Sequence, residues 1–252
     1  MTPLDGALVA AAGLVCGIVN SIAGGGSLIL FPALLATGMP SRSANVTNSV
    51  AGWPGYVGGV VGFRDQIAEQ RRRLPRLVVA VLIGAAIGCT ALLLTPDGAF
   101  DVVVPFLVLF ATLLTAVQPA AKRRMERRGG TRDVPGPAAV VAIFFAAVYG
   151  GYFGGALGVI IVGVLGVTID DTLKRLNASK SLLTLVNSSV TVVVFGLFGP
   201  VQWVYVAVAA PATLIGGYLG AHAAKRLDEG VLRASVVIIG VGVSVYLFVR
   251  AM

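Results

Sequence analysis

The sequence predicts an all-α integral membrane protein, an inverted-topology repeat of two five-element halves with broken, re-entrant helical hairpins. Three observations carry that prediction. Composition comes first: 57% of the 252 residues are hydrophobic and 12% are charged, against roughly 25% charged in a soluble domain. Too few charges remain to coat a water-facing surface. The apolar runs repeat from end to end at helix length, about 20 residues, not at the ~10 alternating residues of a barrel strand. Second, two glycine-rich breaks interrupt apolar stretches, Asn20-Ser21-Ile22-Ala23-Gly24-Gly25-Gly26-Ser27 and Phe153-Gly154-Gly155-Ala156. Third, Lys and Arg cluster in a few loops, as topology signals do.

The first half holds five segments. An apolar run from about 4 to 20 meets the first break. A shorter run, 27 to about 37, contains Pro32 and ends at Gly38-Met39-Pro40. At 1.5 Å per residue it cannot cross ~30 Å of hydrocarbon, so it pairs with its predecessor as a hairpin. The third segment, about 42 to 63, opens with Ser43, Asn45, Thr47, Asn48 and Ser49. A basic loop with Arg64, Arg71, Arg72, Arg73 and Arg76 follows. The fourth, about 77 to 95, carries Gly84 and Gly88 at the small-xxx-small spacing that lets membrane helices approach. Pro96-Asp97-Gly98 leads to the fifth, about 100 to 121. The strongest basic run closes the half: Lys122, Arg123, Arg124, Arg127, Arg128, Arg132.

The pattern then starts again. A run from about 135 to 152 meets the second break, and a short run from about 157 to 168 ends in Asp170-Asp171-Thr172-Leu173-Lys174-Arg175. The next segment, about 176 to 198, opens with Asn177, Ser179, Lys180 and Ser181. Gly199-Pro200 precedes a run from about 203 to 223 with Gly216 and Gly220. Lys225, Arg226, Asp228 and Glu229 separate it from the last, about 231 to 249. Gly24 and Gly25 match Gly154 and Gly155 at an offset of 130. Asn45, Ser49, Gly84, Gly88 and Gly98 match Asn177, Ser181, Gly216, Gly220 and Gly230 at 132. Several matches at one offset, with the loops in register, argue for duplication.

The charges orient the halves. With the Arg64–Arg76 loop on the cytoplasmic side, 17 of the 19 Lys and Arg lie on or near that side, the exceptions being Arg42 and Arg250. The positive-inside rule selects this arrangement. It places both termini outside the cell and the two halves in opposite senses, as in many secondary transporters. Residues 1–121 are then a first membrane repeat, 122–134 a basic cytoplasmic linker, and 135–252 a second membrane repeat. The expected location is the cell (inner) membrane, crossed several times.

Several function classes drop out. The net charge of +8 comes from short clusters between apolar runs, so it points to no nucleic-acid partner. Cys16 and Cys89 lie far apart in apolar stretches, with neither a metal motif nor a disulfide framework. No basic region or cleavage site marks a removable signal peptide. Gly24-Gly25-Gly26-Ser27 lacks the lysine of a P-loop, and no catalytic constellation, metal-ligand set or cofactor motif is found. The chain does not read as an enzyme.

Irregular backbone survives at membrane depth only when buried in protein or lining a wet cavity. The breaks are therefore either a substrate site or close packing of small residues between helices. Helix starts offer unpaired amides and a positive dipole end, which suit an anion. The candidate substrate residues are Gly24, Gly25, Gly26, Ser27, Asn45, Asn48, Gly154, Gly155, Asn177, Lys180 and Ser181. Asn177, Ser181, Thr184, Ser188 and Thr191 share one helical face by spacing, with Asn187 beside it; the stripe lines a pathway or glues helices together. Lys180 either counters a substrate anion or snorkels to the headgroups. Arg42 reads as a surface residue. Asp170 and Asp171 read as a solvated loop or as proton carriers, and His222 as a boundary residue or a relay.

These residues resemble a known family. Asn20 to Ser27, Phe31-Pro32-Ala33-Leu34, Gly38-Met39-Pro40 and Ala44-Asn45-Val46-Thr47-Asn48-Ser49 look like the first repeat of the TauE/SafE sulfite exporter family. Gly150-Gly151-Tyr152-Phe153-Gly154-Gly155 and Asn177-Ala178-Ser179-Lys180-Ser181 look like its second. Ala156-Leu157-Gly158 departs from the fuller glycine run such families often carry. The resemblance implies a secondary transporter, commonly an exporter, of sulfite, organosulfonates or related small organic anions, working by alternating access in a lipid bilayer. Proton coupling stays open, as does oligomeric state. The alternatives are a passive small-anion channel and a non-transporting membrane assembly protein.

Overall fold

The computed structural model describes residues 1–22, 24–70, 73–128, 135–169, 171–223 and 229–251. Among these every regular element is an α-helix: α1 (Pro3–Ile22), α2 (Ser27–Ala36), α3 (Ser41–Gly62), α4 (Arg64–Ala68), α5 (Leu74–Leu94), α6 (Asp97–Arg128), α7 (Pro137–Tyr152), α8 (Leu157–Thr168), α9 (Leu173–Phe198), α10 (Trp203–Ala223) and α11 (Glu229–Ala251). Asp170 and the His222 side chain lie outside the described residues, as do the side chains of the 122–134 linker. Starts and stops follow local chemistry. Gly38 takes φ +84°, a left-handed turn that suits glycine, before Pro40 leads into α3. Pro137 occupies the first position of α7, where its missing amide costs nothing, and Thr172 caps α9 by accepting from the Arg175 amide.

Five of these helices are long and apolar enough to span a membrane, within α1, α5, α6, α9 and α10. Large apolar side chains face outward from them and from α11, where Phe106 is 58% and Ile238 72% exposed. A soluble protein would not tolerate such a surface; lipid covers it here, and the chain is an all-α integral membrane protein. The polar side chains face inward. Asn45, Thr47 and Asn48 of α3 and Thr184, Asn187 and Ser188 of α9 are buried. α3 and α9 pack against each other at the centre.

The packing partners exchange between the halves. α1 lies on α10, and α5 on α7. α3 also meets α10, and α5 meets α9; α2 touches α11, and α8 touches α6. Backbones close up through glycine. A Cβ on Gly84 would come within 2.6 Å of the Phe144 carbonyl, and one on Gly88 would overlap the Val148 carbonyl. On the other seam the same roles fall to Gly216 against Leu14 and Gly220 against Ile18. Each glycine pair is offset by 132 and each partner pair by 130, the offsets of the sequence alignment.

Polar clamps close the two ends of α3. At its start, Arg42 pairs with Asp97 at 2.6 Å and donates to the Thr95 carbonyl at 2.9 Å. It is tied to the α5–α6 junction and is not a loose surface residue. Beyond the far end, the basic stretch forms the short helix α4. There Gln70, 2% exposed, accepts from Ser179 at 2.7 Å and donates to the Arg175 carbonyl at 3.0 Å. Asp171 is not solvated: its side chain is 5% exposed and pairs with Arg73 at 2.6 Å, while Arg175 reaches both Asp171 and Glu69. The segment after α3 is thereby fastened to the start of α9.

Candidate functional site

The two breaks form from different local chemistry. In the first, Gly24 and Gly25 take φ of +82° and +88°, a region closed to most side chains. The Gly24 amide caps the Val19 carbonyl at 2.9 Å, and Asn20 Oδ1 accepts from the Gly26 amide at 2.8 Å. The amides of Leu28 and Ile29 turn back on Gly25 and Gly26, while those of Gly25 and Ser27 make no hydrogen bond among the described residues. In the second break the left-handed residues are Gly154, φ +78°, and Ala156, φ +58°. An alanine there costs about 1–2 kcal/mol unless its surroundings hold it; Ala156 is 2% exposed in the core.

Depth follows from helix length. α2 has 10 residues and α8 has 12, so each is about 15–18 Å long, roughly half of a ~30 Å hydrocarbon core. Helices of that length running from a membrane face begin near mid-depth. Their N-termini, with the breaks, border one cavity of about 490 Å³. Its lining includes Asn20, Gly24, Gly25, Ser27 and Tyr56 from the first half and Gly154, Ala156, Gly158, Lys180, Ser181 and Thr184 from the second. A smaller cavity, about 340 Å³, adjoins it between α3, α9 and the end of α7. Its walls are Asn48, Ser49, Gly52, Gly150, Asn187, Ser188 and Thr191, and it shares Ser27, Tyr56, Gly154, Leu157 and Thr184 with the first.

Of the eleven residues singled out from sequence, Gly24, Gly25, Ser27, Gly154, Lys180 and Ser181 line the larger cavity, and Asn48 the smaller one. Gly26, Asn45, Gly155 and Asn177 line neither. Gly26 is packed against the Cys16 carbonyl, and Gly155 backs onto the Phe153 ring. Asn45 is fully buried and donates to the Tyr152 carbonyl at 3.0 Å, tying α3 to α7. Asn177 accepts from Ser181 through its carbonyl at 2.9 Å. The Lys180 stem lies over Gly158, where an added Cβ would sit 3.3 Å from Cδ. Among the described residues, Lys180 is the one formally charged side chain in the lining of either cavity.

In the polar stripe of α9, two hydroxyls bond within their own helix, Ser181 to the Asn177 carbonyl and Thr191 to that of Ser188. Asn187 is different and donates to the Ala147 carbonyl of α7 at 3.0 Å. Hydroxyls that back-bond keep lone pairs turned to the cavity, which interhelical glue would consume. Sequence reasoning passed over Tyr56, whose hydroxyl lies against Ser27 and Asn20 where the cavities meet. The signal was present: Asn45, Asn48 or Ser49, Gly52 and Tyr56 keep helical spacing, but the polar run ends at Ser49.

Comparison with known proteins agrees with this architecture. Residues 9–247 match the family described as "Sulfite exporter TauE/SafE". A "Probable membrane transporter protein" of Haemophilus influenzae is 27% identical over 233 residues, covering 92% of this chain and 90% of the relative. "Probable membrane transporter protein YfcA" of Escherichia coli K12 is 25% identical over 90% of this chain and 83% of its own. "Probable membrane transporter protein ORF9" of a Sinorhizobium species is 23% identical over 94% and 89%. No solved structure gives a significant match.

Proposed function

The chain belongs to the TauE/SafE sulfite exporter family of membrane transporters, and from that premise we propose that it exports sulfite, an organosulfonate or a related small organic anion by alternating access. One observation carries the anionic class: among the described residues, the lining of the cavity bordered by both breaks contains Lys180 and no carboxylate. Helix starts at Ser27 and Leu157 add positive partial charge to the same space. The amides of Gly25 and Ser27, unpaired among the described residues, would hold the anion's oxygens, Gly24, Gly154 and Ser181 would wall the same space with their donors already bonded, and Lys180 would neutralise the anion.

Alternating access suits the exchanged packing. α1 on α10 and α5 on α7 are glycine seams that cross between the halves, consistent with two related units that rock about a central site. The inverted orientation, with both termini outside the inner membrane, rests on the charge distribution. The test is anion flux in proteoliposomes with sulfite and methanesulfonate as probes. Lys180→Ala should lower saturable flux at least about tenfold, the loss of roughly 1.4 kcal/mol of binding, and Lys180→Arg should restore part of it. Equal flux in Lys180→Ala and the parent protein would remove the anion site from this cavity, and unsaturable conductance would replace the transporter by a channel.

A further inference from the structure

We propose that the smaller cavity is a binding site for an alkali-metal cation that couples to transport. Its role in coupling rests on the anion reading above; the site itself does not. Asn48 and Thr184 line this cavity and are 3% and 5% exposed. Asn48 Oδ1 and Thr184 Oγ1 are buried without a hydrogen-bond partner. Two unpartnered buried acceptors in one small cavity call for a ligand that brings positive charge or donors. An acceptor-only anion such as sulfite could accept from the Thr184 hydroxyl but would leave Asn48 Oδ1 unsatisfied.

The end of α7 borders the same space. Gly150, in the last turn of α7, lines the same cavity. The amides of Phe153 and Gly154 both turn to the Tyr149 carbonyl. The C-terminal end of a helix is the negative end of its dipole. Broken transporter helices use such ends, with unwound carbonyls, to coordinate monovalent cations.

The lining selects among cations. Among the described residues it holds no Asp, Glu, His or Lys, so they offer no carboxylate or imidazole to carry a proton. Divalent cations of the calcium and magnesium class favour carboxylate ligands, which are likewise absent. Neutral amide, hydroxyl and carbonyl oxygens match a monovalent ion. Thr184 borders both cavities, so a cation beside it adds positive potential to the anion's space, and each ligand would then favour the other by linkage.

The test uses the purified full-length chain in detergent. Sodium or potassium chloride is titrated against N-methylglucamine chloride at constant ionic strength, with thermal unfolding as one readout and saturable binding of radioactive sodium or rubidium as the other. The expected result is saturable stabilisation by an alkali-metal ion that N-methylglucamine does not give. Asn48→Ala and Thr184→Ala should each raise the half-saturating concentration at least about tenfold, while Thr184→Ser, which keeps the oxygen, stays near the parent value. Equal stabilisation by all three chlorides, or absence of saturable binding to the parent protein, overturns the site whatever the variants do. A saturable cation response in a protein that moves neither sulfite nor methanesulfonate keeps the cation site and removes the anion reading.

Discussion

Replacing Asp171 by Asn should cost about 3 kcal/mol of stability. The carboxylate is 5% exposed and lies 2.6 Å from Arg73, itself 12% exposed. At an effective dielectric of ~20 and ~4 Å between charge centres, the pair attracts by about 4 kcal/mol. Removing one partner of a buried pair usually costs about 3–5 kcal/mol, because the other charge stays desolvated and unpaired. Arg175 contributes little, since it reaches Asp171 at 3.6 Å and is 33% exposed. The lower end of the range is therefore appropriate. For a chain of this size, about 2–4 °C per kcal/mol gives a fall of about 6–12 °C in the apparent melting temperature of the detergent-solubilised protein. A double-mutant cycle isolates the pair: Arg73→Gln with Asp171→Asn removes both charges and should recover a large part of the loss. A shift under about 2 °C, or a double variant as unstable as the sum of the singles, would refute the claim that this pair fastens the α4 segment to α9.

Gly88→Val would drive a side chain into the Val148 carbonyl and part α5 from α7, so little folded protein should survive size-exclusion chromatography, whereas Gly98→Ala, with nothing within 4 Å, should behave as the parent. Asn20→Ala removes the acceptor of the Gly26 amide and should cost about 1–3 kcal/mol, read as a drop in melting temperature. Gly24→Ala has room, its nearest neighbour being Val159 Cγ2 at 3.7 Å, so its cost is the left-handed backbone alone, about 1–2 kcal/mol; an unchanged melting temperature would show that the turn can relax.

The helices were legible because their boundaries are local. Expected and observed starts differ by a few residues at most, since glycine, proline and Thr172 mark them within the chain. The short helix α4 was not legible: five residues after Phe63 are too few to display a period. Gln70 reads as one more polar loop residue, and its burial depends on Ser179, 109 positions away. The α9 stripe was visible as a helical face, but spacing alone cannot separate hydroxyls that back-bond from an asparagine that reaches α7. Lys180 shows the same limit. Helical register sets its face, and only the contact with Gly158 on another helix shows where its stem lies.

The two halves also diverge where the sequence alignment makes them equivalent. At an offset of 132, Lys180 corresponds to Asn48. One supplies a full positive charge to the larger cavity; the other presents a buried amide oxygen without a partner to the smaller. The breaks differ in the same sense. Left-handed residues are adjacent at Gly24 and Gly25 but separated at Gly154 and Ala156. A cradle made of two identical half-sites would attract an anion from both sides and would leave no place for a cation. Breaking the equivalence at one residue pair gives a lysine to one space and a buried amide to the other, although the two share Ser27, Tyr56, Gly154, Leu157 and Thr184. On the reading proposed above, an anion and a cation would be held in these adjoining spaces, each lowering the electrostatic cost of the other. Duplication alone makes a symmetric cavity; the divergence of Lys180 from Asn48 is the step that would turn it into a coupled one.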